Sequence, residues 1–540
     1  MVFTSRIAVA LFTSQIGYAS ASIRGTRRLD RPSLGPYEPA STVTDHAAID
    51  QDQAALESQL SQAVPSFQGA KYIYEQGAHS KPYANLKLST ATTSAIAKNA
   101  GIEGLTSSGE PVTGVVYDDV GKGVTTIKVK YATSENAASP TLCRVGGLPE
   151  AGVEPTVTGC FADAGTITII GYGDFSYTYD SRVDNGNGRT LQGFSLQAEK
   201  KMRTWTEYQK FQKYWGDYDF GDKWVQNALA GTKYRSQTGK EYDFGLYGDE
   251  GRKEAVKKGT VFMNVYQYVL HEFEDAIADC NSDCVAGVDC NEEQVHAWDE
   301  GVAFYTGSLE EKLLYKLANK RCQNYKTCGP RGSEQLGNSK VNYELFNEFL
   351  SGRDLLLAGE CGPTRAILQR ITELMAVPLV QGALRYAYKV GELKEGEKEQ
   401  AEGTVFMASV IPRVHDCDAG AAEIIADNMA IREDSSTDFA AVKAAFESQY
   451  ECMGIKCTDV GGLLQGTNYY PDFQPCDDNE RMGIMAAGAS TVITKSNPIG
   501  TIIGIVFAVV AVCAIAFILF MRKKEKEGAP IFVTKVVDVQ

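Results

Sequence analysis

The 540-residue sequence predicts an α+β protein, in which a β-rich N-terminal domain is followed by a duplicated α-helical domain and a C-terminal transmembrane helix. Three observations support this prediction. Runs of Val, Thr, Ile and Tyr between turn residues occupy residues 66–195, as is typical of short strands. Apolar residues at spacings of three and four occupy residues 196–460, as is typical of amphipathic helices. Residues 499–521 carry no charge and are long enough to cross a bilayer.

The N-terminus, residues 1–21, has the pattern of a cleaved signal peptide. Arg6 precedes a short apolar run, and the small residues Ala19, Ser20 and Ala21 follow it. The apolar run is too short to span a bilayer. The alternative interpretation is a buried N-terminal helix.

The uncharged segment 499–521 is predicted to be a stop-transfer helix, with a buried core helix as the alternative. A basic cluster from Arg522 to Lys526 follows it directly, as expected on the cytoplasmic side. Residues 522–540 are then a cytoplasmic tail, and the preceding chain is an ectodomain. We therefore expect a plasma-membrane location with the ectodomain extracellular, and endosomal vesicles as a second location.

The ectodomain divides by composition. Residues 22–65 begin with a basic stretch that is followed by prolines and continue as a polar helix-like run, which predicts a propeptide or flexible lead. Residues 461–498 are rich in Gly, Pro and Asp, which predicts a stalk before the membrane. Between them lie the β-rich domain, residues 66–195, and the helical domain, residues 196–460. Strands are predicted over residues 112–117, 124–131 and 166–172.

The helical domain contains an internal repeat. The pentapeptide Gly-Thr-Val-Phe-Met occurs at residues 259–263 and again, identical, at residues 403–407. The same offset aligns His271 with His415 and Glu274 with Asp418. The repeat predicts a duplicated helical scaffold and raises the question of whether the shared polar residues are functional.

Cysteines and charge limit the class of protein. Of the 13 cysteines, Cys513 lies in the predicted membrane helix, and the other twelve can form up to six disulfides in an oxidising compartment. Pairing is not deducible from the sequence, although Cys143/Cys160 and Cys452/Cys457 are plausible neighbours. Zinc ligation by the Cys280 and Cys322 groups is the alternative. The net charge of −15 argues against nucleic-acid partners.

Three histidines precede a carboxylate by three residues, a spacing that places both groups on one helical face. Imidazole and carboxylate donors together suit iron. Asp275 and Glu300 extend the set, and Tyr268 lies one turn before His271, whereas Tyr305 lies on roughly the opposite face from His296. The candidate metal ligands are His271, Glu274, Asp275, His296, Asp299, Glu300, His415, Asp418, Tyr268 and Tyr305. Packed core histidines are the alternative interpretation.

The segments Tyr268–Ala276, His296–Ser308 and Asn187–Ser195 resemble the iron-assimilation proteins of algae. These are the low-iron-inducible periplasmic proteins of green algae and the phytotransferrins, or iron-starvation-induced proteins, of diatoms. The predicted anchor matches the diatom form. A second resemblance, to bacterial imelysin-type iron proteins, rests on His271, Glu274 and the repeat.

The resemblance implies a non-enzymatic receptor that captures Fe(3+) at the cell surface with carbonate as a synergistic anion and is then internalised by endocytosis. Arg189 and Arg365 are candidate carbonate ligands. A ferric reductase and endocytic proteins are candidate partners. Two alternatives remain, namely a metal-dependent surface hydrolase or redox enzyme at the same site, and a structural or adhesive surface protein without metal. The sequence contains no Walker loop, Gly-x-Ser-x-Gly elbow or His-Glu-x-x-His motif.

Overall fold

The computed structural model places short helices before a β-barrel and a large helical body after it. It describes residues 34–41, 43–77, 84–107, 109–133, 144–146, 156–158, 161–179, 190–283, 293–308, 313–431 and 436–478. The helices before the barrel are α1 (Thr44–Ala47), α2 (Ile49–Leu60) and α3 (Phe67–Gln76). A β-rich N-terminal part followed by a mostly helical remainder confirms the predicted α+β class.

Six of the described strands close into an antiparallel barrel, in the order β1-β4-β3-β2-β7-β8. The barrel strands are β1 (Ala84–Leu88), β2 (Gly101–Leu105), β3 (Pro111–Val116), β4 (Thr126–Thr133), β7 (Ala164–Ile169) and β8 (Gly173–Thr178), while β5 (Arg144–Gly146) and β6 (Thr156–Thr158) pair with each other. The three predicted strands overlap β3, β4 and β7. Alternate residues such as Leu86, Ile127 and Ile167 point inward and are buried. The barrel therefore has its own hydrophobic core.

The helical body has a second, larger core. Its helices are α4 (Gly193–Leu196), α5 (Ala198–Met202), α6 (Thr206–Trp215), α7 (Phe220–Ala230), α8 (Asp249–Gly259), α9 (Tyr266–Asp283), α10 (Glu293–Thr306), α11 (Leu314–Tyr325), α12 (Lys340–Leu357), α13 (Cys361–Gly391), α14 (Glu397–Cys417), α15 (Ala419–Met429), α16 (Phe439–Glu447) and α17 (Cys457–Val460). Two short hairpins, β9–β10 (Lys233–Arg235, Glu241–Asp243) and β11–β12 (Leu464–Gln465, Asn468–Tyr469), accompany them.

The described part of residues 22–65 is not the flexible lead that we expected. The side chains of Ile49, Leu56 and Leu60 are completely buried in the core of the helical body. The side-chain amide of Gln53 also donates a hydrogen bond to the carbonyl of Lys257, at 3.0 Å. Apolar burial and long-range hydrogen bonds make α1 and α2 integral parts of the helical body.

The boundaries of the β-rich part are narrower than residues 66–195. Residues 67–76 form α3, whose Tyr74 hydroxyl donates to Asp222 at 2.9 Å and accepts from Asn264 at 2.8 Å. At the other end, α4 contributes the buried Phe194 to the helical core. The barrel thus lies between two segments of one helical body, because both flanking segments carry apolar residues that this body buries.

The two repeat copies occupy equivalent places in different helical geometry. The first copy lies mostly within a π-helical turn, Thr260–Val265, between α8 and α9, whereas the second lies inside the continuous helix α14. Asn264 follows the first copy where Ala408 follows the second. The Asn264 amide donates to Tyr74 and to the carbonyl of Leu191, at 2.8 and 3.1 Å, and these contacts accompany the locally widened helix.

Four disulfides link described cysteines, namely Cys280–Cys361, Cys322–Cys328, Cys417–Cys452 and Cys457–Cys476. The suggested Cys452/Cys457 pair is therefore wrong, since Cys452 bonds Cys417 and Cys457 bonds Cys476. Cys280, Cys322 and Cys328 cannot be zinc ligands, as the alternative interpretation required, because a cysteine in a disulfide has no thiolate. The suggested pair Cys143/Cys160 lies outside the described residues.

The C-terminal predictions fall mostly outside the described residues. Among the helices that the structure describes, none is long and apolar enough to cross a membrane. The predicted signal peptide, the predicted membrane segment 499–521 and the predicted tail 522–540 all lie outside the described residues. The described residues 461–478 are part of the helical body and not of a stalk, because Leu463 and Phe473 are buried in the helical core and Cys476 is joined to α17.

Candidate metal site

One side chain of α1 and two of α10 bring three metal-binding groups together. His46 lies on α1, and His296 and Glu300 lie one turn apart on α10. The Nε2 atoms of His46 and His296 are 2.5 and 2.9 Å from the same atom, Glu300 Oε1. The two imidazole rings meet edge to face, with centroids 5.7 Å apart. We call His46, His296 and Glu300 the first cluster.

The geometry of the first cluster fits a single metal ion. Its three donor atoms lie within 4.8 Å of one another. Ligand atoms at right angles and at bond lengths of about 2.1 Å are about 3.0 Å apart, so only small shifts would be needed to admit an ion. Two imidazoles and one carboxylate are a donor set that iron accepts. The His46 side chain is 4% exposed and that of His296 is 43% exposed, so the site opens to solvent beside His296.

The N-terminal helices hold His46 in this position. The His46 ring packs edge-on against Phe304 of α10, with centroids 5.6 Å apart. One turn later, Asp50 Oδ2 accepts hydrogen bonds from the backbone N–H and the hydroxyl of Ser308, at 2.8 and 2.6 Å. Ser308 follows the end of α10, so these contacts join α1 and α2 to the helix that carries the other two donors.

Asp299 lies behind His296 and not among the donors. Its Oδ1 accepts a hydrogen bond from the Tyr37 hydroxyl at 2.5 Å, and its Oδ2 accepts from the backbone N–H and hydroxyl of Ser41 at 2.7 and 2.8 Å. Ser41 Oγ is in turn 2.9 Å from His296 Nδ1. Burial raises the pKa of Asp299, and the hydrogen bonds from Tyr37 and Ser41 oppose that rise. The two residues of α10 whose possible ligand atoms lie close together are thus His296 and Glu300, at i and i+4. They are not the predicted pair His296/Asp299.

A second group of possible ligands, His271, Glu272 and Asp275, lies on α9. His271 Nε2 is 4.0 Å from Asp275 Oδ2 and has no hydrogen-bond partner among the described residues. The indole N–H of Trp205 donates to His271 Nδ1 at 3.2 Å. Because Nδ1 accepts, a neutral His271 ring carries its proton on Nε2 and offers no lone pair to an ion there. We call this group the second cluster.

The surroundings of the second cluster disfavour the charged forms of its side chains. Burial, together with the nearby Lys201, lowers the pKa of His271 to about 3. Burial also raises the pKa of Glu272 well above its ordinary value, and the charge of Glu300 adds to that rise. Burial raises the pKa of Asp275 as well, in spite of Lys201. The burial of these three side chains therefore disfavours their charged forms.

Tyr268 lies beside the second cluster. Its hydroxyl accepts a hydrogen bond from Lys201 Nζ at 2.8 Å, and its ring stacks on Phe194 with centroids 4.2 Å apart. The ring also contacts His271 edge to face, with centroids 5.1 Å apart. Tyr268 is thus close to His271, as its spacing on the helix predicts.

The predicted pair His271/Glu274 does not converge. Glu274 forms an ion pair with Arg365, at the start of α13, and is not among the groups that meet at the second cluster, although it lines the same small cavity as His271. Arg365, a candidate carbonate ligand, is engaged by that carboxylate. Arg189, the other candidate, lies outside the described residues.

The remaining predicted ligands lie in neither cluster. The Tyr305 hydroxyl donates to Asn342 Oδ1 at 2.6 Å inside the core, on the side of α10 that faces α12. His415 packs edge-on against Tyr214, with centroids 5.4 Å apart. Asp418 caps α15 by accepting from the backbone N–H of Ala421 at 2.8 Å. These three side chains have structural contacts that account for their positions.

Three residues of the candidate site are absent from the predicted ligand set. His46, Tyr37 and Ser41 all come from the segment predicted to be a flexible lead. The signal that was available is the apolar spacing of Ile49, Leu56 and Leu60, which marks a packed helix and so brings His46 into the folded domain.

Comparison with known families gives one match. Residues 238–468 match the model of the family described as low iron-inducible periplasmic protein. The resemblance to the algal iron-assimilation family is therefore confirmed over this part of the chain. The match includes His296, Glu300 and the second cluster but not His46. Comparison with curated proteins gives no match, and comparison with solved structures gives none either.

Proposed function

With residues 238–468 matching the low iron-inducible periplasmic protein family, we propose that this protein captures ferric iron for uptake and holds it at the first cluster. The observation that carries the proposal is the convergence of His46 Nε2 and His296 Nε2 on one oxygen of Glu300, at 2.5 and 2.9 Å. Such an arrangement of donors is difficult to maintain without a proton or a cation between them, because each donor presents electron density to the others.

Three protein donors leave coordination positions free for an exogenous ligand. Carbonate is the anion that the family resemblance suggests, and the exposed side of His296 is where it would enter. The carbonate proposal rests on these open positions and not on Arg365, because Arg365 is paired with Glu274. Arg189 remains a candidate outside the described residues.

Acid release follows from the nature of the donors. Metal-bound imidazoles must be unprotonated, so iron affinity should fall as the pH drops through about 6.5, the ordinary pKa of histidine. A receptor with these properties would load iron at the cell surface, anchored by the segment 499–521, and unload it in an acidic vesicle after endocytosis. A ferric reductase could then act on the released ion.

A second candidate function is a metal-dependent redox enzyme at the same site. The observation that favours it is the donor set itself, since two histidines and one carboxylate with open positions also serve non-haem iron enzymes. A surface hydrolase would use the same open positions for a metal-bound water. A structural or adhesive protein would bind no iron at all.

The test is calorimetric titration of the full-length protein with ferric iron supplied as its nitrilotriacetate complex, with and without bicarbonate. We expect binding of one ion that bicarbonate strengthens, and a loss of at least about 100-fold in affinity in His46→Gln, because a direct ligand should matter more than the outer-shell partners that change affinity by about 10- to 100-fold. The matched control is His415→Gln, which removes a histidine outside both clusters. Absence of binding to the wild type would refute iron capture. Equal losses in the two variants would refute the site.

A further inference from the structure

Asp299 makes Ser41 an acceptor for His296. A carboxylate only accepts hydrogen bonds, so the Ser41 hydroxyl must use its single proton in the 2.8 Å bond to Asp299 Oδ2. The backbone N–H of Ser41 and the Tyr37 hydroxyl donate to the same carboxylate at 2.7 and 2.5 Å and keep it in place. Ser41 Oγ therefore has only lone pairs to offer to His296 Nδ1, 2.9 Å away, and can act there only as a hydrogen-bond acceptor.

The proton on His296 is located by this arrangement. Since Ser41 Oγ cannot donate, His296 Nδ1 must, and Nδ1 carries a proton whether the ring is neutral or charged. Nε2 faces Glu300 Oε1 at 2.9 Å, so in the metal-free protein a proton lies between these two acceptors, and the Nε2 lone pair becomes available when a cation replaces that proton. The contrast with His271 is direct, because there Trp205 donates to Nδ1 and the proton of a neutral ring is on Nε2.

We propose that Ser41, held by Asp299, is the positioning residue that orients the His296 ring and directs its Nε2 lone pair toward the bound cation. The inference rests on the proposed function and extends it to residues outside the family match, since Tyr37 and Ser41 precede residue 238. Histidine ligands commonly donate their second ring N–H to an outer partner, which fixes the ring and strengthens the ligand. Here that partner is a hydroxyl polarised by a buried carboxylate.

A purely structural role for Ser41 makes a different prediction. In that case the Ser41 and Tyr37 bonds to Asp299 would only dock the N-terminal segment on α10. Removing the Ser41 hydroxyl would then change stability without changing the protonation of His296 or the affinity of the folded protein for iron.

The first measurement is nitrogen-15 NMR of the metal-free full-length protein with labelled histidine. The chain has five histidines, and His296→Gln identifies the His296 signals. We expect a proton on His296 Nδ1 across the pH range, including high pH where the ring is neutral. A neutral ring with its proton on Nε2 would overturn the proposal. Because no metal is present, this result does not depend on whether the protein binds iron.

The second measurement is ferric iron affinity of Ser41→Ala, Ser41→Thr and the control Ser409→Ala. Ser409 is buried, and its hydroxyl bonds within its own helix, to Val405 at 2.7 Å. We expect Ser41→Ala to weaken binding by about 10- to 100-fold, Ser41→Thr to restore most of it, and Ser409→Ala to leave it unchanged. Wild-type affinity in Ser41→Ala would overturn the proposal. If Ser41→Ala does not fold, the NMR measurement on the wild type still decides.

A wild type that binds no iron but carries its proton on His296 Nδ1 would refute the proposed function and not the hydrogen-bond assignment. A wild type that binds iron but carries the proton on Nε2 would refute the role of Ser41 alone. The two failures are therefore distinguishable.

Discussion

The rings of Phe262 and Phe406 stack on each other, with centroids 4.8 Å apart and planes inclined by 27°. These two residues occupy the same position, the fourth, in the two Gly-Thr-Val-Phe-Met copies. The residues just before each copy, Lys258 and Glu402, also meet as an ion pair at 3.8 Å. When each residue contacts its own counterpart, the two copies face each other across a local two-fold relation, as in a symmetric dimer interface. The repeat is therefore a packing interface at the centre of the helical body.

The repeat interface should be energetically coupled. Replacing either phenylalanine with Ala should destabilise the protein by about 3–5 kcal/mol, because both side chains are buried. The double variant should lose about 0.5–1.5 kcal/mol less than the sum of the single losses, since the stacking term disappears only once. Denaturant unfolding of the four proteins measures this coupling. Strict additivity would show that the two rings do not stabilise each other.

Comparison of the two repeat copies explains why His271 and His415, which the repeat aligns, have different surroundings. The sequence equivalents of Tyr268 and Asp275 in the second copy are Pro412 and Ala419. Helix α14 moreover ends at Cys417, two residues beyond His415, whereas α9 continues for three turns past His271. The second copy thus conserves the core contact and lacks the surroundings of the second cluster. Aligned histidines alone could not reveal this, because the surroundings come from substitutions that the repeat pattern does not cover.

The strands and the helix–helix repeat were predictable because they depend on local patterns. Strands β3, β4 and β7 are marked by alternating β-branched residues, and the identical pentapeptide marks the central packing of α8 and α14. The ligand set was predictable only in part. On a helix, residues at i+3 and i+4 both lie beside residue i, so spacing alone cannot choose between Asp299 and Glu300 as partner of His296.

The choice is made by groups distant in the sequence. Tyr37 and Ser41 donate hydrogen bonds to Asp299, so Glu300 is the carboxylate that faces His296 Nε2. In the same way, Arg365 forms an ion pair with Glu274, the predicted partner of His271. None of these contacts has a sequence signature, since each joins residues about 90 or more positions apart. The role of His46 was not predictable for a related reason, because the basic and proline-containing stretch that precedes it resembles a flexible lead.

The buried His271 should make the protein sensitive to acid. Its pKa is about 3 in the folded protein and about 6.5 in the unfolded chain, so the unfolded chain takes up the proton first. This contribution to stability is complete above pH 6.5 and is lost as the pH falls toward 3, at up to about 1.4 kcal/mol per pH unit. In His271→Gln, the free energy of unfolding should therefore fall less steeply with decreasing pH between 6.5 and 4.

Unfolding of metal-free wild type and His271→Gln by urea at a series of pH values measures the difference. The same variant should bind ferric iron within about threefold of the wild type, because Trp205 already uses the lone pair of Nδ1. Parallel stability curves would contradict the burial of a neutral imidazole. A large loss of iron affinity would instead return His271 to the ligand set.

The disulfides should differ in their contributions to stability according to the length of chain they close. Cys280–Cys361 spans 81 residues and joins α9 to α13, whereas Cys322–Cys328 spans 6. The chain-entropy relation gives about 4.5 kcal/mol for the long loop and about 2 kcal/mol for the short one. Replacing both cysteines of each pair with Ala and comparing denaturant midpoints tests the order. An equal or larger loss from the short loop would show that native contacts, and not loop closure, dominate.

The most direct test of the ferric site is iron K-edge X-ray absorption of the loaded full-length protein, with His46→Gln beside it. Imidazole rings produce a distinctive outer-shell scattering pattern that can be counted per iron. Two imidazoles in the wild type and one in His46→Gln are the predicted result, because His46 and His296 both direct Nε2 at the cation position. Iron bound with no imidazole, or with the same number in both proteins, would contradict the site.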